Sequence, residues 1–271
     1  MNRVTTDRGS IVETFRDFTE FFSVCDKRKH KGGYFSDART RYSDDDDWSG
    51  ASYKQARDMM IHGYEKSVEA VNSRVSQLQK QSFEKPPRRV SDYCGFAPIV
   101  PAVIIGLPKT MWNNKKDMKK SKCVTVVYDV GVSACVSKKE LEEHGAKVVS
   151  YIMNLERLGY RVRVDAICGF ASGYAYAVRI PIKNENNPIN LKRIAFPMTH
   201  VAFLRTLGFD WYERCPDAEY MSGYGTPLYA MSSDDRKEFL DTVLNENEYY
   251  INYQLEPEDV FKNFASELAG K

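Results

Sequence analysis

The residues best placed to do chemistry fall into three groups. Asp129-Val130-Gly131-Val132-Ser133 closes a short β-branched apolar run, CVTVVYDV at 123–130. In an open α/β sheet ligands gather outside the carboxyl ends of the strands, where the next helix points its amides outward. A carboxylate and a hydroxyl two turns of pleat apart at that place are candidate ligands for a hard cation, which prefers oxygen. The second group is basic: Lys183, Lys192, Arg193, His200 and Arg205 cluster around a strand end and a helix. Lysine and arginine supply the charge-assisted donors that phosphate oxygens accept; the competing reading is a basic helix surface with one structural histidine. The third group, Asp44 to Asp47, could draw a divalent ion, yet a calcium loop spaces its ligands at alternate positions around a glycine. A solvated loop is expected there.

Several chemistries are missing from the sequence. Cys25, Cys94, Cys123, Cys135, Cys168 and Cys215 form no CxxC pair, so neither a zinc pattern nor a dense disulfide framework is indicated and reduced thiols are expected. No HExxH, Walker loop, GxGxxG or Ser-His-Asp order is found, and the glycines at 222–225 read as a turn. No enzyme activity is expected.

The elements that must carry these groups follow from periodicity. Ile11, Val12, Phe15, Phe18, Phe21 and Phe22 recur at helical spacing behind a Ser10/Glu13 capping box, which predicts a helix over 9–22. A second box, Ser52/Gln55, predicts a helix over 52–81 with Gly63 as a weak point or a break. EKPPRR at 84–89 stops it. Residues 96–108, apolar and punctuated by proline, suit an extended buried stretch or an edge strand better than a helix, and the five lysines of 113–122 a solvated loop. Then come a buried strand at 123–130, a helix over 138–158 with a Ser137/Glu140 box and Gly159 at its end, and two alternating strands, 160–168 and 174–182, joined tightly enough to be an antiparallel hairpin. The first strand should be central and the last at or near an edge. Helices are predicted after Pro197 as far as Gly208, over 234–247 and over 257–268, with Tyr249, Tyr250 and Tyr253 between the last two.

Two resemblances rest on these residues. The Asp129-x-Gly131-x-Ser133 loop resembles the first part of the metal-dependent adhesion site of von Willebrand factor A domains, Asp-x-Ser-x-Ser, and the order strand, helix, strand, turn, antiparallel strand is similar to that fold over 120–182. The resemblance implies Mg2+ at Asp129 and Ser133, with Thr199 and Asp210 as candidates for the distal ligands. Gly131 replaces one liganding serine, so an ordinary strand-to-helix turn is the stronger expectation. DWSGASYKQARDMMIHGY at 47–64, YCGFAPIVPAVIIGLPKTM at 93–111, LERLGYRVRV at 155–164, the block at 180–209 and GYG at 223–225 resemble a family of bacteriophage and prophage proteins of unknown function, over roughly 45–230, leaving 231–271 outside it. This implies a viral origin and no assigned activity.

Composition limits the remaining choices. The 271 residues are 42% hydrophobic, with 17 Tyr and 14 Phe, which a disordered chain would not carry. Lys+Arg at 39 against Asp+Glu at 37 gives a net charge of +2 and no global field that demands a polyanion, so any nucleic-acid binding should be weak. No apolar run reaches a membrane span and no secretory h-region opens the chain, so no membrane partner is expected and host cytoplasm or virion is the expected location. The fold expected is α/β: a von Willebrand A-like mixed sheet with flanking helices and an N-terminal helical extension, divided as 1–90, 91–230 and 231–271. The function expected is a non-enzymatic phage component that binds other phage proteins, and itself in a homo-oligomer. A nucleic-acid accessory protein using Lys183, Arg193, His200 and Arg205 is the alternative.

Overall fold

The computed structural model describes residues 1–32, 36–44, 46–66, 68–69, 71–73, 88–115, 123–157, 159–172, 174–218 and 226–261. The chain divides into two compact units, 1–80 with 123–271, and 81–122. The predicted helix beyond residue 73, most of the lysine run, the turn at 222–225 and the end of the last predicted helix lie outside the described residues.

The larger unit is built on a six-stranded mixed sheet in the order β1 (Asn2–Thr5), β2 (Ile11–Thr14), β8 (Tyr174–Lys183), β7 (Arg161–Ser172), β6 (Cys123–Asp129), β9 (Glu248–Ile251). β6 lies next to the edge strand β9 rather than at the centre, and β8, expected at or near an edge, is an inner strand, because β9 and the β1–β2 pair add to the two sides of the sheet from distant parts of the chain. β6 is parallel to β7 and to β9, and β7 and β8 form the antiparallel hairpin as expected. On one face Val124, Val126 and Tyr128 of β6 pack with α1 (Phe18–Lys27), α5 (Lys138–Arg157), α6 (Leu191–Thr199) and α7 (Phe209–Arg214). On the other, Val127, Ile167 and Ala177 meet Leu228 and Phe239, the latter from α8 (Ser233–Val243). Both faces of β6 are therefore covered, which is why its sequence is continuously apolar.

Four sequence expectations are corrected. Residues 11–14 are a strand, parallel to β8, and α1 starts only after Asp17, whose carboxylate accepts from the Glu20 amide at 2.8 Å. The Ser10/Glu13 pair is not a helix cap: Ser10 Oγ accepts from the Ala175 amide (2.9 Å) and Glu13 accepts from Arg28 and from the Trp211 indole (2.8 Å). The N-terminal extension is thus partly sheet, and it covers β8, which is third from the edge. The reason is tertiary: the open side of β8 offers backbone partners and both faces bury β-branched residues, which outweighs a local capping signal. Second, the helix over 52–81 is not continuous: its capping box is present and its first part runs Tyr53–His62, but of the two outcomes open at Gly63 it is the break that occurs (φ 93°), where a side chain would run into Lys192, and helical residues resume at 66. Third, Gly208 does not stop its helix. A π-helix, Phe203–Gly208, runs straight into α7, and the glycine is needed because a Cβ would sit 2.6 Å from Cys168 Sγ. Fourth, Tyr249 and Tyr250 belong to β9, not to a connection.

The smaller unit is a three-stranded sheet in the order β3 (Arg88–Asp92), β5 (Met111–Lys115), β4 (Ala97–Pro98), with α4 (Val100–Ile104) following β4. Of the two readings of 96–108, the edge strand holds at Ala97–Pro98, while the buried extended stretch fails: Val100–Ile104 is helical, with Pro101 in the first turn, where a proline is tolerated, and of 96–108 only Ala102 is buried.

Candidate functional site

The carboxyl end of β6 is closed by its own hydrogen bonds. Asp129 is fully buried; Oδ1 accepts from the Gly131 amide (2.8 Å) and Oδ2 from the Tyr250 hydroxyl of β9 (2.5 Å). Burial pushes its carboxyl up to about 7, opposed by those two donors. Gly131 is required there, since a Cβ would lie 2.9 Å from Asp129 Oδ1. Ser133 is engaged separately: its amide donates to the Tyr229 hydroxyl (2.9 Å) and its Oγ accepts from Cys135 N (3.4 Å). Thr199 Oγ1 donates to Ala195 O (2.7 Å), and Asp210 is held by Arg39 (2.7 Å) and Arg214 (2.6 Å). One buried carboxylate with both oxygens used, next to a glycine, does not fit the oxygen cage that a hard divalent ion requires.

The basic group splits. Lys183 is buried, donating to Val162 O (2.7 Å) and paired with Glu156 (2.5 Å), while Arg193 stands exposed in the first turn of α6. His200 and Arg205 do come together, and what they meet is the Trp48-Ser49-Gly50 loop. Arg205, buried in the π-helix, donates to Trp48 O (2.7 Å) and Val136 O (3.2 Å), and its guanidinium lies 4.7 Å from the centre of the Trp48 ring. That ring stacks on Phe209 (5.9 Å, 27°) and packs against Tyr42 (5.6 Å). Gly50 has φ 78° and sits so close to Val201 and His200 that a Cβ would be 2.9 Å and 3.1 Å from them. Ser49 and Thr206 both donate to Ala51 O, at 3.2 and 3.1 Å. The loop is a rigid plug on the π-helix, a form that recurs at functional positions.

His200 accepts from the Ala202 amide at Nδ1 (3.2 Å), which places its remaining proton on Nε2. Burial, with Lys138 and Lys66 adding to it, holds the imidazole down at about 4, so it is neutral. Its ring meets Tyr64 edge-on at 4.9 Å. Beside it opens a depression of about 880 Å³ with Asp46, Asp47, Asp58, Lys54 and Lys138 in its wall and the half-exposed Trp48 next to it. The sequence pointed at His200 and Arg205 but for phosphate; it did not point at Trp48, Tyr42 or Phe209 as their partners, and the only signal was Trp-Ser-Gly before a capping box.

Two further clusters are structural. His30, Asp37 and Glu213 lie within ligand distance of one another, but Arg41 and Arg214 already pair with the carboxylates, each at 2.5 Å. Tyr128 OH and His144 Nδ1 are 3.2 Å apart, and His144 Nε2 donates to Leu255 O (3.1 Å), just beyond β9; burial lowers this imidazole below its ordinary value. All six cysteines are free; Cys25, Cys168 and Cys215 are buried and burial raises their thiols.

Fold and site together define a mixed α/β protein with a six-stranded sheet flanked by helices and an aromatic plug beside an open polar depression. The chain belongs to the family described as Domain of unknown function (DUF7192), whose model matches residues 3–268. The family thus takes in both ends that the motif resemblance, at 45–230, left out. No curated protein and no solved structure gives a significant match. Among the described residues no helix is long and apolar enough to cross a membrane.

Proposed function

We propose that this protein is a non-enzymatic, protein-binding component of a bacteriophage, working in the virion or during its assembly in the host cytoplasm. The observation that carries the reading is the Trp48 plug. A half-exposed indole is held by Phe209, Tyr42 and the Arg205 guanidinium, in a loop whose Asp46, Asp47 and Gly50 line an open, mixed-charge depression. Tryptophan, tyrosine and arginine supply most of the energy in protein interfaces, and an anchor already fixed before binding loses little side-chain entropy on docking. The succession β6, α5, β7, turn, antiparallel β8 supports a von Willebrand A-like binding module, and the phage-like motifs support the viral origin.

A nucleic-acid accessory role is the second reading. Lys183 and Arg205 spend their donors on protein carbonyls and Glu156, leaving Arg193 and Lys192, the latter paired with Glu65, as the exposed members of the basic group. The test is a photo-crosslinking residue at Trp48, with one at exposed Glu143 as control, in cells producing the phage, together with proteomics of purified virions. One phage-encoded protein captured at 48 and not at 143, or a fixed copy number in virions, supports the proposal. Adducts to nucleic acid at position 48 move the protein to the second reading, and no position-specific adduct with absence from virions overturns the first.

A further inference from the structure

The smaller unit exposes apolar side chains that its own fold leaves uncovered. Along 93–112, Tyr93, Phe96, Val100, Val103, Leu107 and Trp112 are all exposed, and Ile104 and Ile105 are 77% and 70% exposed. A five-residue helix can bury little, and of its residues only Ala102 is covered. Eight large apolar side chains exposed within twenty residues are the kind of surface that marks contact with a protein or a membrane.

The composition of this unit is one-sided in charge. Residues 81–122 hold nine of the 39 Lys and Arg but only three of the 37 Asp and Glu, so this unit is strongly basic while the rest of the chain is net acidic. Arg89 and Lys109 are exposed, and the Lys109 ammonium lies 5.8 Å from the centre of the Tyr93 ring. The most exposed side chains are aliphatic. Protein hot spots favour Trp, Tyr and Arg over Leu and Val, whereas a bilayer interface takes aliphatic groups into its acyl boundary, seats Tyr and Trp at the headgroups, and holds Lys and Arg by its anionic lipids.

We propose that the 93–112 face of the small unit attaches to an anionic lipid surface, with Ile104 and Ile105 entering the acyl boundary, Tyr93 and Trp112 at the headgroups, and Arg89 and Lys109 on lipid phosphates. Attachment to one leaflet requires no spanning helix, and apolar insertion plus a basic patch are the two signals that stable attachment takes. Each basic residue near an anionic surface contributes about fivefold to partitioning. This site is separate from the Trp48 plug and does not depend on it.

The test is flotation of the full-length protein with vesicles of phosphatidylcholine alone or with part of it replaced by phosphatidylglycerol. Retention on the phosphatidylglycerol vesicles, weakening with salt, is expected, with far less on phosphatidylcholine. Ile104→Ser with Ile105→Ser should lower partitioning about tenfold or more, and Arg89→Glu with Lys109→Glu should do the same. All four side chains are exposed, so melting temperatures should not move, which separates lost binding from lost fold. No retention on phosphatidylglycerol vesicles, or retention that neither pair of substitutions changes, overturns the proposal. So does a result in which the serine pair turns an oligomer into a monomer and lipid has no effect, because the face is then a protein interface.

Discussion

Replacing Arg205 by methionine tests how the Trp48 loop is held. The guanidinium donates to Trp48 O at 2.7 Å and Val136 O at 3.2 Å and lies against the indole. Methionine keeps most of the buried stem volume and removes all three contacts, leaving the two carbonyls short of donors. Hydrogen bonds from a charged group contribute about 1.5–3 kcal/mol each, and a partly desolvated cation–π contact about 1 kcal/mol more. Against this, methionine no longer has to desolvate a charge, which burial already disfavours in Arg205. The balance is a loss of about 2–4 kcal/mol, or about 5–10 °C in melting temperature for a chain of this size. Urea unfolding followed by tryptophan fluorescence measures it. Arg205→Lys should recover only part of the loss, because an ammonium is a point donor and cannot span both carbonyls as the planar fork does. An Arg205→Met protein that melts with the wild type would refute the plug as a rigid element, and with it the anchor on which the proposed function rests.

Three more outcomes are expected. Asp129, raised to about 7 from 3.8, binds more protons folded than unfolded and therefore loses stability as pH rises through that window, while His200, lowered to about 4 from 6.5, gains it as pH rises. The two slopes oppose each other between pH 4 and 6.5, so the wild type should change little there on their account; thermal melts should show Asp129→Asn gaining stability with pH by a few kcal/mol relative to wild type, and His200→Gln losing it. Gly145→Ala should be severely destabilising, about 3 kcal/mol or more, because the new Cβ would sit 1.9 Å from Met198 O where α5 and α6 touch, and soluble yield reads it. Mg2+ should leave the melting temperature unchanged, since both Asp129 oxygens are already used; a shift that disappears in Asp129→Ala would contradict that geometry.

The sequence by itself determined what depends on neighbours along the chain. The continuous apolar run of β6, the Ser52/Gln55 and Ser137/Glu140 boxes, α5 and the β7–β8 hairpin were all legible, because strand burial, capping and tight turns are set within a few residues. Only the tertiary structure decided that Ile11–Thr14 is a strand, since the competitor to its capping signal is the open side of β8, more than 160 residues away. The same holds for Glu248–Ile251, a glutamate, two tyrosines and an isoleucine that become sheet because β6 lies beside them. At the site, sequence singled out His200 and Arg205 by type but assigned them to phosphate, and it placed Asp129 with Ser133. Which groups an arginine or a carboxylate faces is fixed by elements packed from elsewhere: Trp48 O for Arg205, the Tyr250 hydroxyl for Asp129. Spacing along a chain carries no information about partners 121 and 157 residues distant, and those partners decide whether a charged group is free for a ligand or already committed to the fold.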